Sequence, residues 1–560
     1  MHNPLASTTR RALLWIIGAS FIAHIWCLGS QFYLDDLAQI RDSEFVRNMW
    51  FWRERTTAWT FLWYELQVKL FGLSPIGFHA FNWLLHTAIA CVLYLSARDY
   101  LRGRAPDGVA WFTALLFAVH PLASEIPNYA RTQDLAWVTL FSLLAAWQLY
   151  VAMHGGTWKN LLGAVLCIAG ASFSKGPGFM HASMMCVAVG LAFMTREHWQ
   201  LVRKHAWIPC VLAIVGLAGL WKFDMLMRAA HWSEPRVIGH AYTIGRVFWE
   251  FAWRSVLPIC LSADHQIAET LVPPGTAFAI ADTTARWATL GMALFAIGAL
   301  VLMCRNATRI VGLCCFLFVG TMLMRLLYFM PEFMPEYRIY PGLPWFCLGS
   351  AIVLGWAWRG LFRCSPLIPA ALLIGVFAVM SAKRAFLFHD LNDLMADVLS
   401  QYPGQARAIW ILQRNDLEAG RWQQVIDRQQ HRFPAVREAF LRENGRLAPR
   451  RELPSGHFAM AEVGCMGLYA RAVAKQQSPA AGLREINRLE AYMHALNLDP
   501  KDHAIHWSIF HHAKALVLET AGNYQAAAEF LTMDGRPAAD RKADLERVQA
   551  ELKQARAPAP

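Results

Sequence analysis

The stretch "LLWIIGASFIAHIWCLGSQFYLDD", Leu13 to Asp36, decides how the rest of the chain is read. An apolar run, Leu13 to Leu28, is preceded by Arg10 and Arg11 and followed at once by two adjacent carboxylates, Asp35 and Asp36. A run of this kind enters a bilayer, and the basic pair before it marks the cytoplasmic end. The aspartates are therefore expected to emerge on the opposite side, level with the lipid headgroups.

Composition extends this reading to most of the chain. Of 560 residues, 56% are hydrophobic and 16% charged, too apolar for an ordinary soluble protein of this size. The apolar residues come in runs as far as Ala382, after which Arg, Gln, Glu and His dominate. The expectation is an all-α protein with a polytopic membrane domain over residues 1–382 and a soluble helical domain over residues 383–560. The formal charge of +12 does not argue for a nucleic-acid partner, because the basic residues of the membrane half fall mostly in short loops. The 12 cysteines show no CxxC pair; all but Cys465 lie in or beside apolar runs and read as small buried hydrophobes.

Eleven candidate spans follow: Leu13–Leu28, Phe78–Leu95, Val109–Val119, Ala136–Met153, Leu161–Phe173, Phe179–Met194, Ala206–Leu220, Trp287–Met303, Ile310–Leu327, Leu343–Trp358 and Leu367–Ala382. With Arg10 and Arg11 cytoplasmic, each alternate short loop is basic: Arg98, Arg102 and Arg104; Lys159; Arg196, Arg203 and Lys204; Arg305 and Arg309; Arg359 and Arg363. The outer side then receives "YLDD", "HPLASEIPNYARTQD" (120–134), "SKGPGF" (174–179), the loop from about Lys222 to Arg286, "MPEFMPEYRIYPG" (330–342) and the C-terminal domain. The first run also has features of a signal peptide, but no small-x-small cleavage site follows and its removal would upset the alternation.

Two segments have a character of their own. "FVRNMWFWRERTTAWTFLWYELQVKLFG", within the first outer loop, mixes aromatics with charges, as expected of helices lying in the membrane interface; a packed helix hairpin is the alternative. Beyond Ala382, "NDLEAGRWQQVIDRQQHRFP" and "ALNLDPKDHAIHWSIFHHAKALVLETAGNYQAAAEFL" each carry a small-residue turn before a helix. They suggest a degenerate tetratricopeptide-like array, with a plain helical bundle as the alternative.

Adjacent carboxylates push one pKa up, so Asp35 and Asp36 can act as one base and one orienting group; the bland reading is a solvated helix cap. Their expected face also carries Glu125, Arg131 and Asp134, Lys175, Arg246 and Asp264, and Glu336 and Arg338. Carboxylates beside cations at headgroup level describe a site for a lipid phosphate, whose developing charge the cations neutralise. No Gly-rich phosphate loop, GxSxG element or His/Cys metal cluster occurs.

In this order and spacing, the aspartate pair, "FNWLLHTAIACVLYLSAR" (81–98), "FAVHPLASEIPNYA" (117–130), the Ser174-Lys175 pair, "LPICLSADH" (257–265) and "EYRIY" (336–340) resemble the GT-C glycosyltransferases. Nearest among them are the protein O-mannosyltransferase-like membrane proteins with C-terminal tetratricopeptide repeats. The resemblance implies a polyprenyl-phosphate sugar as donor, used on the non-cytoplasmic face with inversion at the sugar carbon. Asp35 or Asp36 would be the general base, with Asp35 slightly favoured; Glu125 would orient acceptor or sugar; Lys175, Arg338 and Arg131 would hold the phosphate. His120, Asp134, Arg246, Asp264, Glu336 and Tyr340 would support them, with a helix-end cap the favoured reading of His120 and Glu336 equally a structural partner of Arg338. Lys175 stands where the family has Lys-Glu, here followed by Gly176, Pro177 and Gly178.

No resident metal is expected, although family members with pyrophosphate donors use a divalent cation held by carboxylates. The acceptor would be a protein Ser or Thr, a helical-repeat domain in the same compartment being suited to grip polypeptide. A lipid or surface glycan is the second possibility. In a bacterium the protein would be a multi-pass inner-membrane enzyme with a cytoplasmic N-terminus and a periplasmic C-terminal domain; in a eukaryote, an endoplasmic reticulum one. A transporter or scaffold would need charges in mid-span and an internal repeat. Arg325 is the main mid-span charge, and no repeat is seen.

Overall fold

The structure, a computed structural model, describes residues 4–48, 57–195, 234–265, 283–326, 334–361, 365–432 and 456–556, apart from a few positions in the last two stretches. It separates into two units, one comprising the N-terminal region to Asp393 and the other mainly Leu394–Pro560 with Asp264–Leu271. Among the described residues there is no strand.

The first unit begins with α1 (Pro4–His24), extended by a 3-10 turn to Gly29, then α2 (Glu44–Arg47), α3 (Ala58–Phe71), α4 (Pro75–Tyr100), α5 (Asp107–Ala118) and α6 (Glu125–Asn128). It continues with α7 (Gln133–Met153), α8 (Trp158–Ser174), α9 (Gly178–Phe193), α10 (Glu234–Val256), α11 (Thr283–Cys304), α12 (Arg309–Leu326), α13 (Leu343–Leu361) and α14 (Leu367–Leu387). Local signals set the ends. Pro75 starts α4, and Thr157 and Asn160 form a capping box at the start of α8. Pro121 cannot donate the bond that would continue α5, and the chain bends by 52° into Pro121–Asn128.

Six helical stretches are long and apolar enough to cross a membrane, or seven if the bent pair is one span: Thr8–Gly29, Pro75–Tyr100, Ala130–Met153, Thr283–Cys304, Arg309–Leu326 and Leu367–Leu387. The expected eleven is therefore not reached on length and composition. Of the others, α8 and α9 have 17 and 16 residues, about 24–26 Å at 1.5 Å per residue. α13 is diluted by Gly349, Ser350, Gly355 and Arg359. Ala206–Leu220 lies outside the described residues. Arg325 stands in the last turn of α12 rather than in mid-span.

These helices turn large apolar side chains outward, among them Trp15, Ile22, Leu166, Trp287, Leu294, Ile368 and Leu372, while burying Ser20, His24, His79, Asn82, His86 and Thr139. Polar-in and apolar-out is the pattern of a helix bundle solvated by lipid. α3 has both characters: Leu70 and Phe71 are exposed, whereas Tyr64, Glu65 and Gln67 face inward.

In the second unit, α15 (Leu391–Gln401), α16 (Ala406–Glu418), α17 (Trp422–Arg432), α18 (Gly456–Gln476), α19 (Pro479–Ala495), α20 (Ala504–Thr520), α21 (Tyr524–Met533) and α22 (Ala538–Arg556) are amphipathic or polar helices. Most pack on the next helix in the chain, around Val463, Ile486, Met493, Phe510 and Val517 in one core and Leu417, Val425 and Val473 in another. Gly420 and Gly522, at φ +72° and +74°, close α16 and α20 in the two turns singled out in the sequence, "EAGRW" and "TAGNY".

Candidate functional site

The site starts from a strained turn. Leu34 adopts φ +54°, the left-handed region a branched side chain enters at a cost of about 1–2 kcal/mol. The chain doubles back through Asp36 N–H to Tyr33 O (3.1 Å) and Leu37 N–H to Leu34 O (3.2 Å). The turn separates the two carboxylates: Asp36 is fully buried and Asp35 is exposed. Asp36 Oδ1 accepts the backbone N–H of Arg131 at 2.6 Å, and Oδ2 that of Tyr33 at 3.4 Å. Burial pushes its carboxyl well above the ordinary carboxylate range, the two N–H groups pulling the other way. Both its oxygens thus accept bonds inside the protein, and of the two carboxylates Asp35 is the exposed one. Replacing Asp36 by Ala would orphan both donors; a loss of about 1–3 kcal/mol in unfolding free energy is expected, read from thermal melts.

Against this turn lies the loop from His120 to Asp134, irregular backbone that a membrane protein keeps only where side chains satisfy it. His79 Nδ1 lies 3.0 Å from Pro127 O, and the Asn82 amide donates to Ile126 O (2.9 Å) and Tyr129 O (3.1 Å). The Tyr33 hydroxyl donates to Asn128 O, and Tyr64 of α3 donates to Arg131 O at 3.1 Å. The hydroxyl of Tyr129 accepts the Asp35 N–H at 3.2 Å, and its ring stacks on Tyr33.

Arg131, thus placed, ion-pairs with Asp134 at 2.5 Å, and Lys175 reaches the same Asp134 oxygen at 2.8 Å from the end of α8. The ring of Tyr337 lies 5.9 Å from the Lys175 ammonium and 5.9 Å from the Arg338 guanidinium, edge-on to Tyr129. Arg131 and Lys175 thus share one Asp134 oxygen, and Arg338 lies near the same Tyr337 ring as Lys175. Burial draws the Lys175 ammonium below the usual lysine range; Asp134 opposes this, and Arg131 and Arg338 reinforce it. An arriving anion would relieve that repulsion.

A second, buried cluster stands behind the Tyr337 turn. Glu336 accepts Arg384 at 2.5 Å on one oxygen and the Ser262 N–H at 2.7 Å on the other. Glu125 accepts the Tyr337 N–H at 2.6 Å and lies 3.8 Å from the same Arg384 nitrogen. Arg384 thus ties α6 to the 336–339 turn through two carboxylates.

Of the residues expected from sequence, Asp35, Asp36, Arg131, Asp134, Lys175 and Arg338 belong to one contiguous group, and Glu125 and Glu336 to the cluster behind it. Glu336 pairs with Arg384. His120 is buried, its Nδ1 accepting the Leu122 N–H at 3.2 Å and its Nε2 donating to Ser255 O at 3.0 Å, so both nitrogens are used as a cap. Tyr340 is buried with its hydroxyl 2.7 Å from His86 Nδ1, anchoring the turn to α4. Arg246 is half-buried on α10, and Asp264 belongs to the second unit. Sequence reasoning missed Tyr33, Tyr129, Tyr337 and Arg384. Arg384 carried one signal, a Lys-Arg pair at the end of the last run, on the side where the loops should be poor in basic residues. Among the described residues no group of three or more His, Cys, Asp or Glu side chains is placed to hold a metal.

Comparison with known proteins adds independent information. An alignment 290 positions long, covering 46% of this chain, is 26% identical to Protein O-mannosyl-transferase F38B6.6 of Caenorhabditis elegans and covers 39% of that protein. Its curated relatives are protein O-mannosyl-transferases. Protein O-mannosyl-transferase TMTC1 of Homo sapiens matches at 41% identity over 63 residues, 11% of this chain and 7% of the human protein, and the Mus musculus protein of the same name at 42% over 63 residues. The matches thus span well under half of each O-mannosyl-transferase. No family model matches the chain, and no solved structure matches it significantly.

Proposed function

We propose that this chain is a membrane glycosyltransferase that moves a sugar, mannose by the relatives' names, from a polyprenyl-phosphate carrier to a protein Ser or Thr hydroxyl on the non-cytoplasmic face. The observation that carries this reading is the gathering of Arg131 and Lys175 on Asp134, with Arg338 across the Tyr337 ring, beside an exposed Asp35. In the proposed step the Asp35 carboxylate takes the acceptor hydroxyl proton as the oxygen bonds to the anomeric carbon from the face opposite the phosphate. The carbon–oxygen bond to phosphate breaks with its electron pair passing to the phosphate, and inversion follows. The cations neutralise the charge that develops on the leaving group. The alternation of basic loops supports a site on the non-cytoplasmic side, which is the periplasmic side in a bacterial inner membrane and the lumenal side in an endoplasmic reticulum one. The second unit, read as a degenerate tetratricopeptide-like array, would hold acceptor polypeptide.

The test uses the full chain in nanodiscs with undecaprenyl-phosphate mannose and Ser/Thr peptides, following sugar transfer by mass spectrometry. Transfer to peptide is expected, with kcat/KM on the order of 10²-fold lower for Lys175→Met. Transfer to co-purified lipid or glycan instead would reassign the acceptor. No transfer from any polyprenyl-phosphate sugar would overturn the reading.

A further inference from the structure

His181 lies in the first turn of α9, inside the otherwise apolar "GFMHASMMCVAVGLAF". It is 6% exposed, and its Nδ1 is buried without a hydrogen-bond partner. A polar atom left so costs about 1–3 kcal/mol unless a water or a ligand completes the bond.

The turn that places it is tightly specified. Lys175 ends α8; its carbonyl accepts the Gly178 N–H at 2.8 Å, and the Pro177 carbonyl accepts the His181 N–H at 3.2 Å. Only glycine fits at 178, because a Cβ there would sit 1.9 Å from Ala171 O. The imidazole therefore follows Lys175 by two short turns, within electrostatic reach of its ammonium. That neighbour is a donor and offers a protonated ring nitrogen no acceptor; an anion held by Lys175 does. The N-terminus of α9, with its positive dipole end, adds to the preference for negative charge.

We propose that His181 is a further substrate contact, its Nδ1–H donating to an oxygen of the anionic group held by Lys175. On the function proposed above, which this inference rests on, that group is the carrier phosphate. His181 would then contribute to donor binding rather than to proton transfer from the acceptor.

The experiment compares wild type, His181→Phe and His181→Gln, each as full chain in nanodiscs, for binding of undecaprenyl phosphate and of the uncharged alcohol undecaprenol. Phe removes the donor and fills the space; Gln keeps an N–H. Expected are about tenfold weaker binding of undecaprenyl phosphate by the Phe variant, recovery by Gln, no change in undecaprenol binding, and a melting temperature of the unliganded Phe variant no lower than that of wild type, because the unsatisfied donor is gone. In turnover, donor KM rises with kcat unchanged. If Phe is not tolerated, His181→Met, also without a donor, replaces it. Equal binding of the phosphate lipid by wild type and the donor-less variant overturns the inference and leaves His181 a packing residue. Wild type binding phosphate and alcohol equally would instead show that the lipid-phosphate reading itself fails.

Discussion

Asp35→Asn is expected to lower sugar transfer by about 10²–10⁴-fold while leaving the protein as stable as wild type. The carboxylate is exposed, so its replacement by an isosteric amide disturbs no buried contact. On the proposed mechanism it removes the acceptor for the hydroxyl proton, without which the attacking oxygen stays a weak nucleophile. Donor binding should be unaffected, because the same proposal gives the phosphate to Arg131, Lys175 and Arg338, so kcat falls and donor KM does not. Asp36→Asn has the opposite profile. It keeps one acceptor oxygen for the Arg131 N–H but sets an amide N–H₂ against the Tyr33 N–H, so a loss of stability precedes any loss of rate. Measuring kcat, donor KM and melting temperature on both variants separates the roles. Undiminished transfer by Asp35→Asn would remove it from the chemistry and return the pair to a helix-end turn.

Arg384→Met is expected to be the most damaging single change to stability in the first unit, at about 3–5 kcal/mol. Glu336 is fully buried and Glu125 nearly so, and the substitution leaves these two carboxylates without the guanidinium they share. The penalty is that of taking one partner from a buried charged cluster, not the net worth of an ion pair. Two controls follow. Arg384→Lys keeps the charge and should retain most of the stability, and Glu336→Gln combined with Arg384→Met should recover part of the loss by neutralising one carboxylate. The measurement is unfolding monitored in nanodiscs. A combined variant no more stable than Arg384→Met alone would show that Arg384 acts through packing. The damage should also reach donor binding on the proposed function, because Glu125 fixes the backbone of Tyr337, whose ring lies 5.9 Å from both Lys175 and Arg338.

Much of the architecture was legible before any coordinates. Ten of the eleven apolar runs fall on helices, because a bilayer allows a long apolar segment little else, and their bounds follow from proline, glycine and capping residues. Three motifs, "YLDD", "HPLASEIPNYARTQD" and "SK", do meet in one place, since each follows the same end of its helix and alternation brings those ends together. Span counting was less secure, because α8, α9 and the bent α5–α6 pair are too short or too broken for length alone to settle them.

Sequence by itself determined the class of the chain: an apolar helical domain, a polar helical domain after it, and loops whose charge sorts them to two sides. Those are properties of composition and period, which solvent reads directly. Tertiary structure alone decided which of two adjacent aspartates faces inward, because that depends on the left-handed turn at Leu34 and on an N–H of Arg131, 95 residues further along the chain. It alone paired Arg384 with Glu336 and Glu125, and left His181 beside the lysine turn with an unfilled bond. Charge partners distant in sequence are chosen by packing, and a list of residues carries no distances between them.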